Sequence, residues 1–147
     1  MGRRWERNFL GFRINPEGQI EAAAQSLERY RQKVREQWRS CQSLSSEELR
    51  ANWCAFVRGW WGYFHLAEER RSIFGLEGWT RRHMRRCFWE RWHDWRGRLR
   101  KLRRLGLKGH LLKMAYSSKD AWHLAGTANL HTALRNGILR QYGFLLP

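Results

Sequence analysis

Residues 76–92 read LEGWTRRHMRRCFWERW, and their periodicity decides the fold. Trp79, His83, Cys87, Phe88 and Trp92 recur mostly at four-residue steps, the spacing that gathers side chains on one face of a helix. Arg82, Arg85, Arg86 and Trp89 fall on the opposite face. The pattern predicts a helix with a ring-rich core stripe on one side and an outward indole among cations on the other.

The same period extends N-terminally. Over residues 22–41, Leu27, Tyr30, Val34, Trp38 and Cys41 form one apolar stripe. Ser45 and Glu48 have the spacing of a capping box, so a second helix is expected to run from there to about residue 68, with Leu49, Trp53, Phe56, Trp60 and Phe64 inward. Gly59 and Gly62 weaken that helix and are expected where another backbone packs closely. Before these helices, Asn15-Pro16-Glu17-Gly18 carries the proline and glycine positions of a type I turn between two short strands. After them, Leu99, Leu102 and Leu105 predict a short amphipathic helix ending at Gly106. A brief helix is expected over 108–116, a turn-rich link over 117–122 and a last helix over 128–141. The fold class is mainly α, one domain with an N-terminal hairpin.

Composition narrows the partners. The 147 residues carry 29 Lys+Arg against 13 Asp+Glu, a formal charge of +16, and 24 of the 29 cations are Arg. Arg forks onto phosphate oxygens and stacks on flat rings, which Lys does not do. So much charge of one sign destabilises a compact chain unless a polyanion meets it, which makes nucleic acid the first candidate and an anionic membrane surface the second. Ten Trp and 42% hydrophobic residues are too apolar for a disordered basic tail. Cys41, Cys54 and Cys87 lack metal or redox spacing and read as reduced, buried thiols of a cytoplasmic protein. No signal peptide is legible, and the most hydrophobic stretch, 53–67, holds Arg58 and His65 and is too short to span a bilayer.

The charge is concentrated. Residues 79–108 hold 12 Lys+Arg and two acids, Glu90 and Asp94. Few carboxylates are available for intrahelical pairing, so the cations are expected to face phosphate. Candidate nucleic-acid contacts are Arg81, Arg82, Arg85, Arg86, Trp89, Arg98, Arg100, Lys101, Arg103, Arg104 and Lys108, with Trp89 as a stacking ring. Gln32, Lys33 and Arg35 form a second surface.

Catalytic chemistry is not visible. Asp94 and Asp120 are the only Asp residues, too few and too distant for a two-metal carboxylate site. There is no P-loop or nucleophile elbow. His83 and Cys87, four apart, read as a core pair because no second pair stands at metal-ligand spacing. No catalytic residue, metal ligand or cofactor is expected.

These segments, in order, resemble the C-terminal part of group II intron reverse transcriptases. Phe9-Leu10-Gly11-Phe12 with its hairpin is similar to the end of that family's palm; Arg58-Gly59-Trp60-Trp61-Gly62-Tyr63-Phe64 and the Trp79 to Trp92 stretch are similar to its thumb helices. Arg103-Arg104-Leu105-Gly106, Ser117 to Trp122 and Asn129 to Asn136 are similar to its maturase-specific region, also called domain X. Asp120 and His123 stand where the family more often has Gly and Arg. The resemblance implies a palm-end hairpin over 1–21, a thumb-like helical bundle over 22–95 and a basic helical maturase-specific tail over 96–147, packed as one unit with the bundle. It implies group II intron RNA as partner and splicing assistance as function, and the C-terminal part of a longer protein or of a truncated gene product. The Tyr-Ala-Asp-Asp polymerase turn does not occur. Mg²⁺ would enter only through bound RNA or a missing polymerase domain. Two alternatives stand beside this reading. One is a thumb subunit of a split reverse transcriptase, holding primer-template duplex and meeting palm and fingers through Phe9, Leu10 and Phe12. The other is a general basic nucleic-acid-binding protein.

Overall fold

The computed structural model describes residues 10–39 and 43–144. An antiparallel hairpin (β1, Phe12–Ile14; β2, Ile20–Ala22) leads into helices α1 (Ala24–Arg39), α2 (Ser46–Phe64), α3 (Arg71–Arg91) and α4 (Trp95–Arg104). A 3₁₀ stretch, Gly109–Tyr116, then precedes the short helices α5 (Ala121–Ala125), α6 (Ala128–Ala133) and α7 (Asn136–Gln141). The fold is mainly helical with an N-terminal hairpin, as the sequence predicts.

The hairpin turns where proline and glycine direct it. Gly18 N–H donates to the Asn15 carbonyl and Asn15 N–H to that of Gln19, both at 2.9 Å. A hairpin of three-residue strands is not stable alone in water. This one rests on the end of α2 and the link that follows it: the Glu68 and Glu69 amides of that link donate to the Ile20 carbonyl at 2.7 and 3.0 Å. The Phe12 ring lies 5.1 Å from Tyr63 and 5.2 Å from Phe64. Phe12 is half-buried, with its ring packed within the chain. Leu10 is 70% exposed, and Phe9 lies outside the described residues.

On α1 the stripe Leu27, Tyr30, Val34 and Trp38 is buried; Cys41 lies outside the described residues. The capping box of α2 forms in full, with Ser45 Oγ accepting from Glu48 N–H at 3.2 Å and the Glu48 carboxylate accepting from Ser45 N–H at 2.8 Å. Leu49, Trp53 and Phe64 are buried and Phe56 and Trp60 half-buried. The expectation for Gly59 and Gly62 is corrected. Both are exposed, and a Cβ at either position would meet nothing within 4 Å. They fall on the solvent side of a helix whose other side already holds its rings.

The central helix α3 begins at Arg71, earlier than periodicity suggests, because Ile73 joins Leu76 in the core. Tyr30 Oη donates to Thr80 Oγ1 across 3.0 Å and Thr80 donates to the Leu76 carbonyl at 2.8 Å, so α1 and α3 share a closed polar chain inside the core. Helix α4 starts on Asp94, whose carboxylate accepts from Gly97 N–H at 2.9 Å. It stops at Gly106 in a Schellman turn: φ is +87°, Gly106 N–H meets Arg103 O and Leu107 N–H meets Leu102 O.

The C-terminal quarter departs from expectation in two places. The 117–122 link holds the start of α5, capped by Asp120 accepting from His123 N–H at 2.8 Å. Asp120 therefore has a local structural use. The single helix expected over 128–141 breaks at Leu134, whose φ is −111° and ψ 58°. At 100° per residue, Leu134 and Leu139 would point well apart on one helix; the break lets both be fully buried. Phe144 closes the fold, its ring 5.6 Å from Trp38 and 5.4 Å from Phe88.

Because Gly59 and Gly62 are exposed inside a helix with open space around them, Gly59→Ala and Gly62→Ala should each raise stability by about 1 kcal/mol. Urea unfolding of the two variants checks this, and a lowered midpoint in either would show a close contact at that face.

Candidate nucleic-acid interface

The arginines of α3 do not form an open face. Arg85 is 2% exposed. Its guanidinium donates to the Leu134 carbonyl at 2.8 Å and to Asn136 Oδ1 at 2.9 Å, bridging the break between α6 and α7. Burial lowers its pKa to about 10, which still leaves it charged at neutral pH. Arg82 donates twice to the Trp122 carbonyl, at 3.0 and 2.8 Å, and lies 4.1 Å over the Trp122 ring. A five-residue helix such as α5 leaves its carbonyls short of backbone donors, and Arg82 supplies them. Gly126 permits the approach, since a Cβ there would lie 2.9 Å from the Arg82 guanidinium carbon.

Trp89, expected to point outward, is corrected as well. It is 0% exposed, packed 5.9 Å from Trp92 and covered by Arg98 at 4.7 Å. The face of α3 opposite its core stripe is itself core, because α5–α7 and α4 fold over it. Intrahelical pairing is also present: Arg81 meets Glu77 at 3.2 Å and Arg86 meets Glu90 at 3.0 Å. Arg98 is half-buried under the same packing, and desolvation lowers its pKa.

The open cations are those of α4 and its exit. Arg100, Lys101, Arg103, Arg104 and Lys108 are all exposed, and no Lys or Arg of α4 makes an ion pair among the described residues. Lys101, Arg103 and Arg104 occupy the last turn, where the helix dipole favours them. Sequence reasoning passed over the ring that accompanies them. Trp95 is 45% exposed, stacks near Tyr116 at 5.3 Å, and lines a shallow groove of about 300 Å³ with Arg96, Leu99, Arg100 and Arg103. Trp95 shares a stripe with Leu99 and Leu102 and so reads as core. The available signal is its place in the first turn, just after Asp94, where a stripe has little to pack on. Cations beside an exposed indole can hold phosphate and stack a base or sugar.

The second surface divides. Lys33 is exposed and 3.6 Å from Glu36, and Gln32 reaches Glu28 at 3.4 Å. Arg35 bonds Glu28 at 3.3 Å and turns its guanidinium over Trp79 at 5.5 Å. It thereby meets Arg86, far away in sequence, in a cleft of about 470 Å³ shared with Arg39, Trp79, His83 and Trp122. Burial, then the charges of Arg86, Arg35 and Arg82, push the His83 pKa down to about 4. Cys54 and Cys87 are buried, and no described cluster of His, Cys, Asp or Glu could hold a metal ion. No described helix is long and apolar enough to cross a membrane.

Two outcomes separate the roles of these residues. Arg85→Ala strands the Leu134 carbonyl and Asn136, so it should cost about 2–3 kcal/mol of stability, whereas Arg100→Ala and Arg103→Ala should stay within about 0.5 kcal/mol of the parent. Comparable thermal shifts for all three would contradict this. Because the folded chain lowers the His83 pKa from 6.5 to about 4, the unfolded chain binds the proton first as pH falls. Stability present above about pH 6.5 is therefore lost between there and pH 4, and His83→Phe should flatten that part of the melting-temperature profile.

Among known proteins, the family described as "Group II intron, maturase-specific domain" matches residues 27–106, more than half of the chain and all of α2, α3 and α4. No curated protein matches the chain.

Proposed function

Since the chain belongs to the group II intron maturase-specific family, we propose that it is an RNA-binding module that clamps structured intron RNA through the open face of α4 and so assists splicing. The observation that carries the reading is the set Arg100, Lys101, Arg103, Arg104 and Lys108, all exposed, of which Arg100 and Arg103 share a groove with the half-exposed ring of Trp95. Cations without carboxylate partners release counterions when they meet phosphate, so affinity depends on salt. Contacts of this kind fix the RNA's position and shape and read little sequence. In this reading the grip involves no chemistry of its own: Asp94 and Asp120 serve as helix caps, and Mg²⁺ would enter only with the bound RNA or a missing polymerase domain.

In this proposal Arg82, Arg85 and Trp89 act indirectly. Arg82 and Arg85 hold α5–α7 against α3, while Arg98 over the Trp89 ring joins α4 to α3. A second reading, the thumb of a split reverse transcriptase, is favoured by one feature. Leu10, Ile14 and Ile20 are exposed on the hairpin, an apolar edge that a palm could cover.

Titration of intron RNA at several salt concentrations tests the clamp. A double-logarithmic slope of several units is expected, and the change Arg100→Gln, Lys101→Gln, Arg103→Gln, Arg104→Gln should reduce its magnitude by roughly 0.7–0.9 for each phosphate no longer neutralised. A slope near zero would defeat the clamp. Equal affinity for intron RNA and a random duplex would leave a general nucleic-acid binder in its place.

A further inference from the structure

The cleft between α1, α3 and α5 has a composition that the backbone clamp does not use. Arg35 and Arg39 come from α1, Arg86 from α3, and the walls are the indoles of Trp79 and Trp122. No carboxylate lines it. Of the three cations, Arg35 has Glu28 at 3.3 Å and Arg86 has Glu90 at 3.0 Å, while Arg39 has no ion-pair partner among the described residues. Three guanidiniums border one concavity, and Glu28 and Glu90 offset only two of them, so an anion in the cleft would be favoured.

The inner wall carries the second, independent observation. His83 is 7% exposed, its ring 4.5 Å from Trp79 and 4.6 Å from Trp122, and neither ring nitrogen has a hydrogen-bond partner. A neutral imidazole offers one donor and one acceptor, and leaving both unmade under the protein surface is costly. A buried ring that only filled space would do so better as Phe. The imidazole lies just beneath a cleft rimmed by arginines and walled by indoles, a lining that fits a ligand with an anionic group and a flat ring, whose polar edge reaches the buried ring nitrogens on displacing an indole.

We propose that this cleft holds one unstacked nucleotide of the bound RNA, with its phosphate among Arg35, Arg39 and Arg86 and its base against the indoles with a polar edge toward His83. The cleft volume of about 470 Å³ leaves room for such a residue. The low pKa of His83 keeps the imidazole neutral at physiological pH, so it can both donate and accept. Single-stranded or bulged nucleotides are the parts of RNA that offer a free base face and edge. The cleft thus adds recognition of an unpaired position to the shape-based grip of α4, and it rests on the reading of the chain as an RNA binder.

The test uses the full chain and three RNA hairpins of one sequence: one with a single bulged nucleotide, one with that nucleotide deleted, and one with an abasic residue in its place. The bulged hairpin should bind about tenfold tighter than the other two, the scale of one stacked base. Arg35→Gln with Arg39→Gln should remove the preference. His83→Phe should reduce it severalfold while the protein melts no lower at neutral pH. Equal binding of all three hairpins overturns the proposal, as does a preference that survives either variant. An abasic hairpin as tight as the bulged one overturns it too, because the cleft would then read backbone alone. Binding to none of the hairpins would overturn the clamp together with the cleft.

Discussion

The fold depends on how a buried cation, Arg85, is satisfied without a carboxylate. Its guanidinium meets Leu134 O and Asn136 Oδ1, groups left open where the chain breaks between α6 and α7. Hydrogen bonds to a charged donor are among the stronger ones a protein makes, and their loss strands buried acceptors. Arg82 does the same for α5 through the Trp122 carbonyl. Helices of five or six residues have almost no stability of their own, and here α3 completes their hydrogen bonding. Two arginines in the most basic part of the sequence are thus structural.

That packing sorts the charge of the chain. With Arg85 buried, Arg82 and Arg98 half-buried, and Arg81 and Arg86 paired with Glu77 and Glu90, the exposed cations of residues 79–108 are left on α4 and its exit. The Schellman turn at Gly106 and the Asp94 cap close α4 at both ends, so its cations project from an ordered helical backbone. A pre-ordered row of cations loses less freedom on meeting RNA than a flexible basic tail would.

Much of the local structure was legible because its code is local. The Ser45–Glu48 box, the Asn15–Gly18 turn and the stop at Gly106 each depend on a few neighbouring residues. The stripes of α1 and α2 followed from the helical period. What periodicity could not supply was the number of sides on which α3 is covered. Arg82, Arg85, Arg86 and Trp89 look like a solvent face on an isolated helix, and only the return of residues 117–144 makes most of that face interior. The same non-local return explains the break at Leu134, which no Pro or Gly at that position signals. Trp95 was illegible for the converse reason, since it lies on a core stripe at the end of a helix where the core has run out. The Arg35–His83–Trp122 cleft joins three helices far apart in sequence, and no spacing rule reaches it.

The proposed division between structural and RNA-facing arginines is open to direct measurement by arginine-selective modification, read by mass spectrometry on the folded chain with and without intron RNA. Arg100, Arg103 and Arg104 should react readily in the free protein and become protected when RNA binds, while Arg82 and Arg85 stay unreactive in both states. A reactive Arg85 that RNA protects, with Arg103 and Arg104 unchanged, would contradict the account.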